Sequence, residues 1–325
     1  MNSLGNHFVF TSFGESHGHA IGGVIDGVPA GVHIDMSLIR SALDRRAGRK
    51  SNEREAGVSP RAAREADEVE WLSGVMDGVT LGTPVAFLIR NTDAHSEDYE
   101  WLRHNYRIGH ADYTYQAKYG IRDWRGGGRA SARETAGRVV AGTLAQQLLL
   151  QRGIEIHAAL VQVGNETDTT RFADYIREVQ QDGDSIGGIV ECTIMGLPAG
   201  VGEPIFDKLQ CHLAYAMMSI NACKGFEYGS GFEGVALRGS EMFASDAPAR
   251  LQTGGIAGGI SDGGPIVFRC VFKPTPSTPK TLSALPASEP RKGRFDACVA
   301  VRAVPVVEAM TAMVVEDMMQ STTHK

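Results

Sequence analysis

The order of apolar and polar positions divides the chain into short strands and a few longer helices. Apolar-rich runs at His7–Ser12 and Gly22–Asp26 predict two strands, joined by the turn Gly14-Glu15-Ser16-His17-Gly18-His19. After GVPAGV (27–32), Met36, Ile39 and Leu43 recur at helical spacing, so a helix capped by Asp35 or Ser37 is expected through about Arg46. Its end is basic (Arg40, Arg45, Arg46, Arg49, Lys50), which suits the helix dipole. Residues 47–66 are polar and charged and read as a mobile surface loop. Strands follow at Glu68–Leu72, Val79–Leu81 and Val85–Arg90, the last two joined by Gly82-Thr83-Pro84. A helix is expected from Ser131 to about Gln151, then strands within 153–166 and 186–195 flanking a helix near Arg171–Gln181. Pro204 opens another helix, Ile205 to about Ile220, apolar on nearly every side and therefore expected to be buried. The segment 278–292 reads as flexible; a last helix runs from near Ala303 to about Met319, with Pro305 in its first turn and QSTTHK frayed.

The pattern also repeats. IGGVIDGVPAGV (21–32) returns as IGGIVECTIMGLPAGV (186–201), and GVMDGVTLGTPVAF (74–87) returns as GIAGGISDGGPIVF (255–268). Gly-Arg precedes a helix at Gly128-Arg129 and again at Gly293-Arg294. The copies keep their order, which implies two similar α+β halves, about 1–165 and 166–325, related by a pseudo-two-fold axis with a site between them. Chance likeness of turn sequences is the alternative.

Charge adds a location. The chain has 325 residues and a net charge of −6, yet between Arg103 and Arg138 eight Lys/Arg face three Asp/Glu. Within this stretch Gly126, Gly127 and Gly128 allow close backbone approach to a ligand. Ser131-Ala132-Arg133-Glu134 has the form of a capping box, which would aim a helix N-terminus at the glycines. Together these features predict an anion site; a solvated basic loop is the bland alternative. The overall acidity disfavours general nucleic-acid binding, so a small anion fits better than a polyanion. Five cysteines without a CxxC pair point away from structural zinc and disulfides and towards a reducing cytoplasm. No apolar run approaches a membrane span, and the N-terminus lacks the pattern of a signal peptide.

The residues themselves permit a limited chemistry. Arginines suit a phosphate and carboxylates, while His17 and His110 could move protons near neutral pH, although a lone turn histidine is more often polar surface. No metal-ligand spacing, P-loop or GxSxG is present, and GGGRAS does not follow a strand as a dinucleotide fingerprint would. Composition and spacing thus reach an enzyme acting on a small phosphorylated, carboxylated molecule.

Longer motifs are more specific. FGESHG (13–18), RIGHADYTY…KYGIRDWRGGGRASARETAGRVVAG (107–142) and KGRFDACVAVRAVPVVEAM (292–310) resemble the three signature regions of chorismate synthases. MSINACKG (218–225), GGIAGGISDG (254–263) and FKPTPS (272–277) resemble further segments of that family, so the likeness spans nearly the whole chain. The resemblance implies a single-domain β-α-β sandwich with helices inside and sheets outside, assembled as a cytoplasmic homotetramer. It implies anti-1,4-elimination of phosphate from 5-enolpyruvylshikimate 3-phosphate to give chorismate, the last common step of the shikimate pathway. That reaction needs reduced FMN (FMNH2) without net redox change, and NADPH would enter only as a flavin reductant. By the same resemblance, His17 would protonate the departing phosphate, His110 would keep the flavin suitably protonated, and Asp296 would relay a proton. Ser16, Arg46, Arg107, Ser131, Arg133 and Arg294 match substrate-binding positions. Arg129, Ala130, Ser131, Asn221, Ala222, Gly258, Lys273, Pro274, Thr275, Pro276, Ser277 and Arg294 match flavin-contacting ones.

Several positions depart from the family pattern. Arg-His-Asp-Pro-Cys is Arg294-Phe295-Asp296-Ala297-Cys298 here, a Ser-Ser pair is Ala130-Ser131, and the proline before Gly-His is Ile108. Asn-Ala-Gly-Gly is Gln252-Thr253-Gly254-Gly255, the basic loop reads Arg45-Arg46-Ala47-Gly48-Arg49, and a second loop arginine lacks a secure match. The changes fall on the walls of the expected site more than on its proton-transfer groups, so an active enzyme is expected, with a non-catalytic paralogue as the alternative.

Overall fold

A computed structural model describes residues 1–48, 66–243, 253–283 and 295–323. In chain order, β1 (Ser3–Leu4), β2 (Val9–Phe13) and β3 (Ala20–Asp26) lead into α1 (Met36–Ala47). Next come β4 (Val69–Ser73), the two-residue strands β5 (Val75–Met76) and β6 (Val79–Thr80), and β7 (Val85–Arg90). Beyond a 3-10 segment, Ser96–Arg103, lie α2 (Asp112–Tyr119) and α3 (Thr135–Leu150). The second half carries β8 (Glu155–Val163), α4 (Phe172–Gln181), β9 (Gly188–Met195), α5 (Leu209–Met218) and β10 (Cys223–Tyr228). It continues with α6 (Gly239–Met242), β11 (Ile256–Ala257), β12 (Ile260–Ser261), β13 (Ile266–Phe272), α7 (Pro279–Ser283) and α8 (Ala300–Thr323).

Two antiparallel sheets result, ordered β1-β2-β3-β7-β4 and β10-β13-β9-β8, with β5–β6 and β11–β12 as small hairpins. Apart from β1, the second order reproduces the first, and the hairpin precedes the third-paired strand in both. The likeness extends to single hydrogen bonds. The Thr80 hydroxyl accepts from the Val32 N–H (3.0 Å) and donates to the Pro29 carbonyl (2.6 Å). Ser261 does the same for Val201 (2.9 Å) and Pro198 (2.6 Å). Two PAGV turns are thus pinned to two hairpins by one hydroxyl each.

Helices α1, α3, α5 and α8 form the layer between the sheets. On β7, β9 and β13 inward residues alternate with half-buried ones, and Phe87, Ile89, Val190, Cys192, Ile194 and Phe268 face the core. α3 packs on α1, α8, β3 and β8, while α8 packs on α1, α3, α5, β8 and β9. α3 and α8 approach so closely at Gly142 that a Cβ there would overlap the Ala309 backbone. Buried acids on α8 clip the layers together: Glu308 takes Arg45 (2.7 Å) and Glu316 takes Arg152 (2.9 Å). Asp317 accepts from the backbone N–H groups of Asn6, His7 and Phe8 at 2.7, 2.6 and 2.9 Å.

Some sequence expectations need correction. Ser131 does cap, but it accepts from Arg133 N–H, and a 3-10 turn, Ala132–Glu134, precedes the α-helix. The capping box is not formed, because Glu134 pairs forward with Arg138 (2.9 Å). The helix expected from Ile205 begins at Leu209, since residues 202–208 run beside the β11–β12 hairpin, where Gly202 bridges Ile260 and Gly259 accepts from Leu209 N–H. It also exposes Tyr215 and Met218, so it is buried on one face only. α8 starts before Ala303 and continues past Met319 into the tail expected to be frayed, with Pro305 inside it rather than in its first turn. The expected 278–292 loop contains α7, and its remainder, like most of 47–66, lies outside the described residues.

Candidate active site

The site forms where two equivalent connections meet: the one from β7 to α3, and the one from β13 to α8. Between them is a cavity of about 660 Å3. Its wall includes Arg46, Arg107, Arg129, Arg133, Arg138, Lys273 and Arg302, against Glu134 and Asp296 among the described residues. Even with Asp67 and Asp112 pairing some of these cations from behind the wall, positive charge exceeds negative among the described residues, which favours an anion in a partly enclosed cavity.

Arg46, at the end of α1, and Arg133, in the turn leading to α3, flank Asp67. Arg46 Nη2 donates to Asp67 Oδ2 (2.8 Å) and Arg133 Nη1 to Oδ1. Arg133 Nε also donates to Asn91 Oδ1 (2.9 Å). All three charged side chains are almost fully buried. Burial alone would raise the Asp67 pKa, but the two guanidiniums prevail and hold it at about 2. Arg46 Nε and Nη1 are buried and have no partner among the described residues. On the next wall, Arg302 Nη1 donates to Asp296 Oδ2 (2.7 Å) and its Nε to the Arg46 carbonyl (3.0 Å). Arg107 is spoken for by Asp112, at 2.8 Å from both Nε and Nη2. Arg129 donates to Gly14 O (3.0 Å) and Ser12 Oγ (2.8 Å).

The histidines occupy different walls. His17 is buried in the β2–β3 turn with Nδ1 3.3 Å from Ser96 Oγ, and Tyr99 meets its ring edge-on. Gly126 has φ 60°, and any Cβ there would strike the His17 imidazole, so this glycine is required for both shape and space. His110 Nε2 lies 2.8 Å from Ser277 Oγ in the loop after β13. Burial, reinforced by Arg107, lowers its pKa to about 4, leaving it neutral at pH 7. Lys273 donates to Gly109 O (3.0 Å), and burial together with Lys224 lowers its pKa. Asn221 Nδ2 donates to Ala130 O (3.0 Å), whereas its buried Oδ1 has no partner among the described residues.

Most residues expected from sequence therefore converge. His17, Arg46, Arg107, His110, Arg129, Ala130, Ser131, Arg133, Asn221, Ala222, Lys273, Thr275, Pro276, Ser277 and Asp296 line the cavity. Ser16 stands behind the wall, its Oγ 3.4 Å from Gly126 O, and Pro274 does not line it. Gly258 is not brought in; it sits at the tip of the β11–β12 hairpin with φ 63°. Arg294 lies outside the described residues. Sequence reading missed Asp67, Asn91, Tyr99, Arg138 and Arg302. Arg138 and Arg302 had a signal, since each is a cation inside an apolar helical run and needed a partner or a cavity. Among the described residues there is no group of side chains suited to a metal, and no helix is long and apolar enough to cross a membrane.

Comparison with known proteins agrees with this geometry. The sequence profile described as chorismate synthase matches residues 8–320. The chorismate synthase of Christiangramia forsetii is 46% identical over 349 residues, covering 97% of this chain and 96% of that protein. That of Bacteroides thetaiotaomicron is 46% identical over 352 residues, covering 97% of each. A crystal structure of a chorismate synthase superposes with a TM-score of 0.75 at 29% identity, covering 98% of this chain and 93% of the other. A cavity rich in arginine, placed between two repeated β–α connections and carried on a chain with these relatives, leads to one conclusion: the chain belongs to the chorismate synthase family of lyases.

Proposed function

We propose that the chain converts 5-enolpyruvylshikimate 3-phosphate to chorismate by anti-1,4-elimination of phosphate, with reduced FMN in the same cavity. The observation that carries this reading is the buried Arg46–Asp67–Arg133 group, whose Arg46 Nε and Nη1 have no partner among the described residues. A phosphate monoester with two carboxylates supplies the missing acceptors and the missing negative charge. The residues also fit a flavin: Asn221 Oδ1, without a partner among the described residues, is an acceptor for a heterocyclic N–H, and Arg129 and Lys273 are cations for its phosphate. Ala130 offers no hydroxyl there, but its carbonyl fixes Asn221. Bound reduced FMN would supply electron density transiently to the substrate.

The chain's own groups carry the rest. Arg46 and Arg133 orient the phosphate, and His17 gives a proton to the departing phosphate oxygen. Asp296, oriented by Arg302, lies on the wall suited to relaying the C6 proton. The C3–O bond breaks with its electron pair going to phosphate, the C6 proton is lost, and a second ring double bond forms, so the elimination has no net redox change. His110 enters neutral and gains proton affinity as anions fill the cavity. Gly258 would contact flavin only if a second copy brought its hairpin to the cavity, in keeping with a homotetramer. We also infer one domain from the two halves and a cytoplasmic setting.

The test is anaerobic: purified protein, reduced FMN and substrate, with chorismate and phosphate followed together. Stoichiometric release of both is expected only with reduced flavin; no turnover and no substrate-dependent flavin spectrum would defeat the reading. FMN reduction by NADPH alone, measured in the same cell, tests whether the chain reduces its own flavin.

A further inference from the structure

Asp67 does not line the cavity, yet it joins the guanidiniums of two residues that do. It reaches Arg46 across 21 positions of sequence and Arg133 across 66. Its backbone is left-handed, with φ 53°, a conformation few non-glycine residues adopt. Two neighbouring buried guanidiniums repel each other, and no other carboxylate among the described residues bonds both of them. Asp67 occupies one edge of each cation. It leaves Arg46 Nε and Nη1 without a partner among the described residues, on a side chain that lines the cavity. On the other side of Arg46, its carbonyl receives Arg302, the residue that orients Asp296.

We propose that Asp67 is a positioning residue that holds Arg46 and Arg133 as a preformed clamp for the phosphate of a phosphate monoester. The inference rests on the function proposed above and deepens it. With Asp67 in place, the guanidiniums need not be gathered and fixed when the ligand arrives, so binding avoids that ordering cost. Among the described residues, one negative charge against two positive ones also leaves a net attraction for the incoming dianion.

Asp67→Asn is the informative variant. Asparagine tolerates left-handed backbone and keeps one acceptor, so the change removes charge with little change of shape. In the FMN-loaded enzyme, KM for the substrate should rise about ten- to a hundredfold, the loss expected when a charge-assisted contact stops fixing a ligand-binding cation. kcat should fall far less, because His17, His110 and Asp296 keep their contacts. Inorganic phosphate, used as a competitive probe, should weaken in parallel, while FMN affinity without substrate should stay within about twofold, too small a change to signal a lost contact. Unchanged KM and phosphate inhibition would overturn the proposal, as would equal loss of phosphate and FMN binding, which marks a merely structural role. If Asp67→Asn does not fold, Asp67→Glu decides: it keeps the charge but displaces the carboxylate by one methylene. Raised KM with intact flavin binding then supports the clamp; wild-type KM, or failure of this variant to fold as well, overturns it. Wild-type turnover in the same assay tests the parent reading separately. An inactive wild type whose phosphate binding still depends on Asp67 would sink that reading and leave the clamp standing.

Discussion

His110 offers a measurement of the site through stability alone. Its folded-state pKa is about 4 against an ordinary 6.5, with burial the main cause and Arg107 the next. Below pH 6.5 the unfolded chain therefore binds a proton that the folded chain refuses. Stability falls as pH drops from 6.5 towards 4 and levels off beyond. The whole difference corresponds to about 3 kcal/mol, and at pH 5 to about 2 kcal/mol, reduced somewhat because the ring is not fully buried. The perturbation is His110→Gln, which does not titrate and can still bond Ser277. Urea denaturation of both proteins at pH 7.5 and pH 5 gives the double difference, in which other titrating groups cancel. The wild type should lose about 1–2 kcal/mol more than the variant on acidification. Equal losses would refute the argument that His110 is held neutral by its surroundings. Activity should respond as well: His110→Ala should cut turnover about 10²- to 10⁴-fold, the usual share of a proton-handling group.

Two further predictions concern the frame around the site. Gly142→Ala gains about 1 kcal/mol of helix propensity. It also drives a methyl group into Ala309 Cα, Cβ and O, all under 3.0 Å away, and overpacking of this kind typically costs about 1–3 kcal/mol or more. A melting temperature lowered by a few degrees is expected, and an increase would mean the helices are not in this contact. Asp317→Ala strips a charged acceptor from three backbone N–H groups and should destabilise by about 2–4 kcal/mol. Because Met1, Asn2, Ser3 and Leu4 line the cavity just ahead of those groups, KM should rise as well; steady-state kinetics beside thermal unfolding checks both.

The chain announces its architecture unusually directly because the two copies share turn chemistry as well as apolar spacing. PAGV and the hairpin glycines need particular backbone conformations, so both copies retain them. β7 could be read to the residue from its alternation, whereas α2 and the 3-10 segment before it could not. Their residues are polar and aromatic, and tertiary contacts hold them: Arg122 with the carbonyls of Leu102 and Asn105, and Tyr99 on His17. The cluster of arginines marked the site, but the identity of each arginine's partner was hidden. Asp67 carries no local signal, since it sits in the ordinary polar sequence AREADEVE and its partners come from distant segments. Conversely, Arg107 looked available in sequence and is occupied by Asp112 only five positions away. Periodicity reports which face is buried, and only three-dimensional proximity reports which charges are already spent.

The repeat is imperfect at one instructive place. Between β2 and β3 the chain makes a short turn, and that turn presents His17. At the corresponding place between β8 and β9 it inserts α4, after which Ser185 Oγ donates to Thr275 O (2.7 Å) and Ile186 N–H to Ala297 O (2.8 Å). One linker places His17 on the cavity wall, and its counterpart holds down the loops bearing Ser277 and Asp296. A duplicated frame could have offered two weak, identical pockets. Unequal linkers instead give a division of labour, in which one brings a side chain to the cavity and the other anchors the loops that complete its wall.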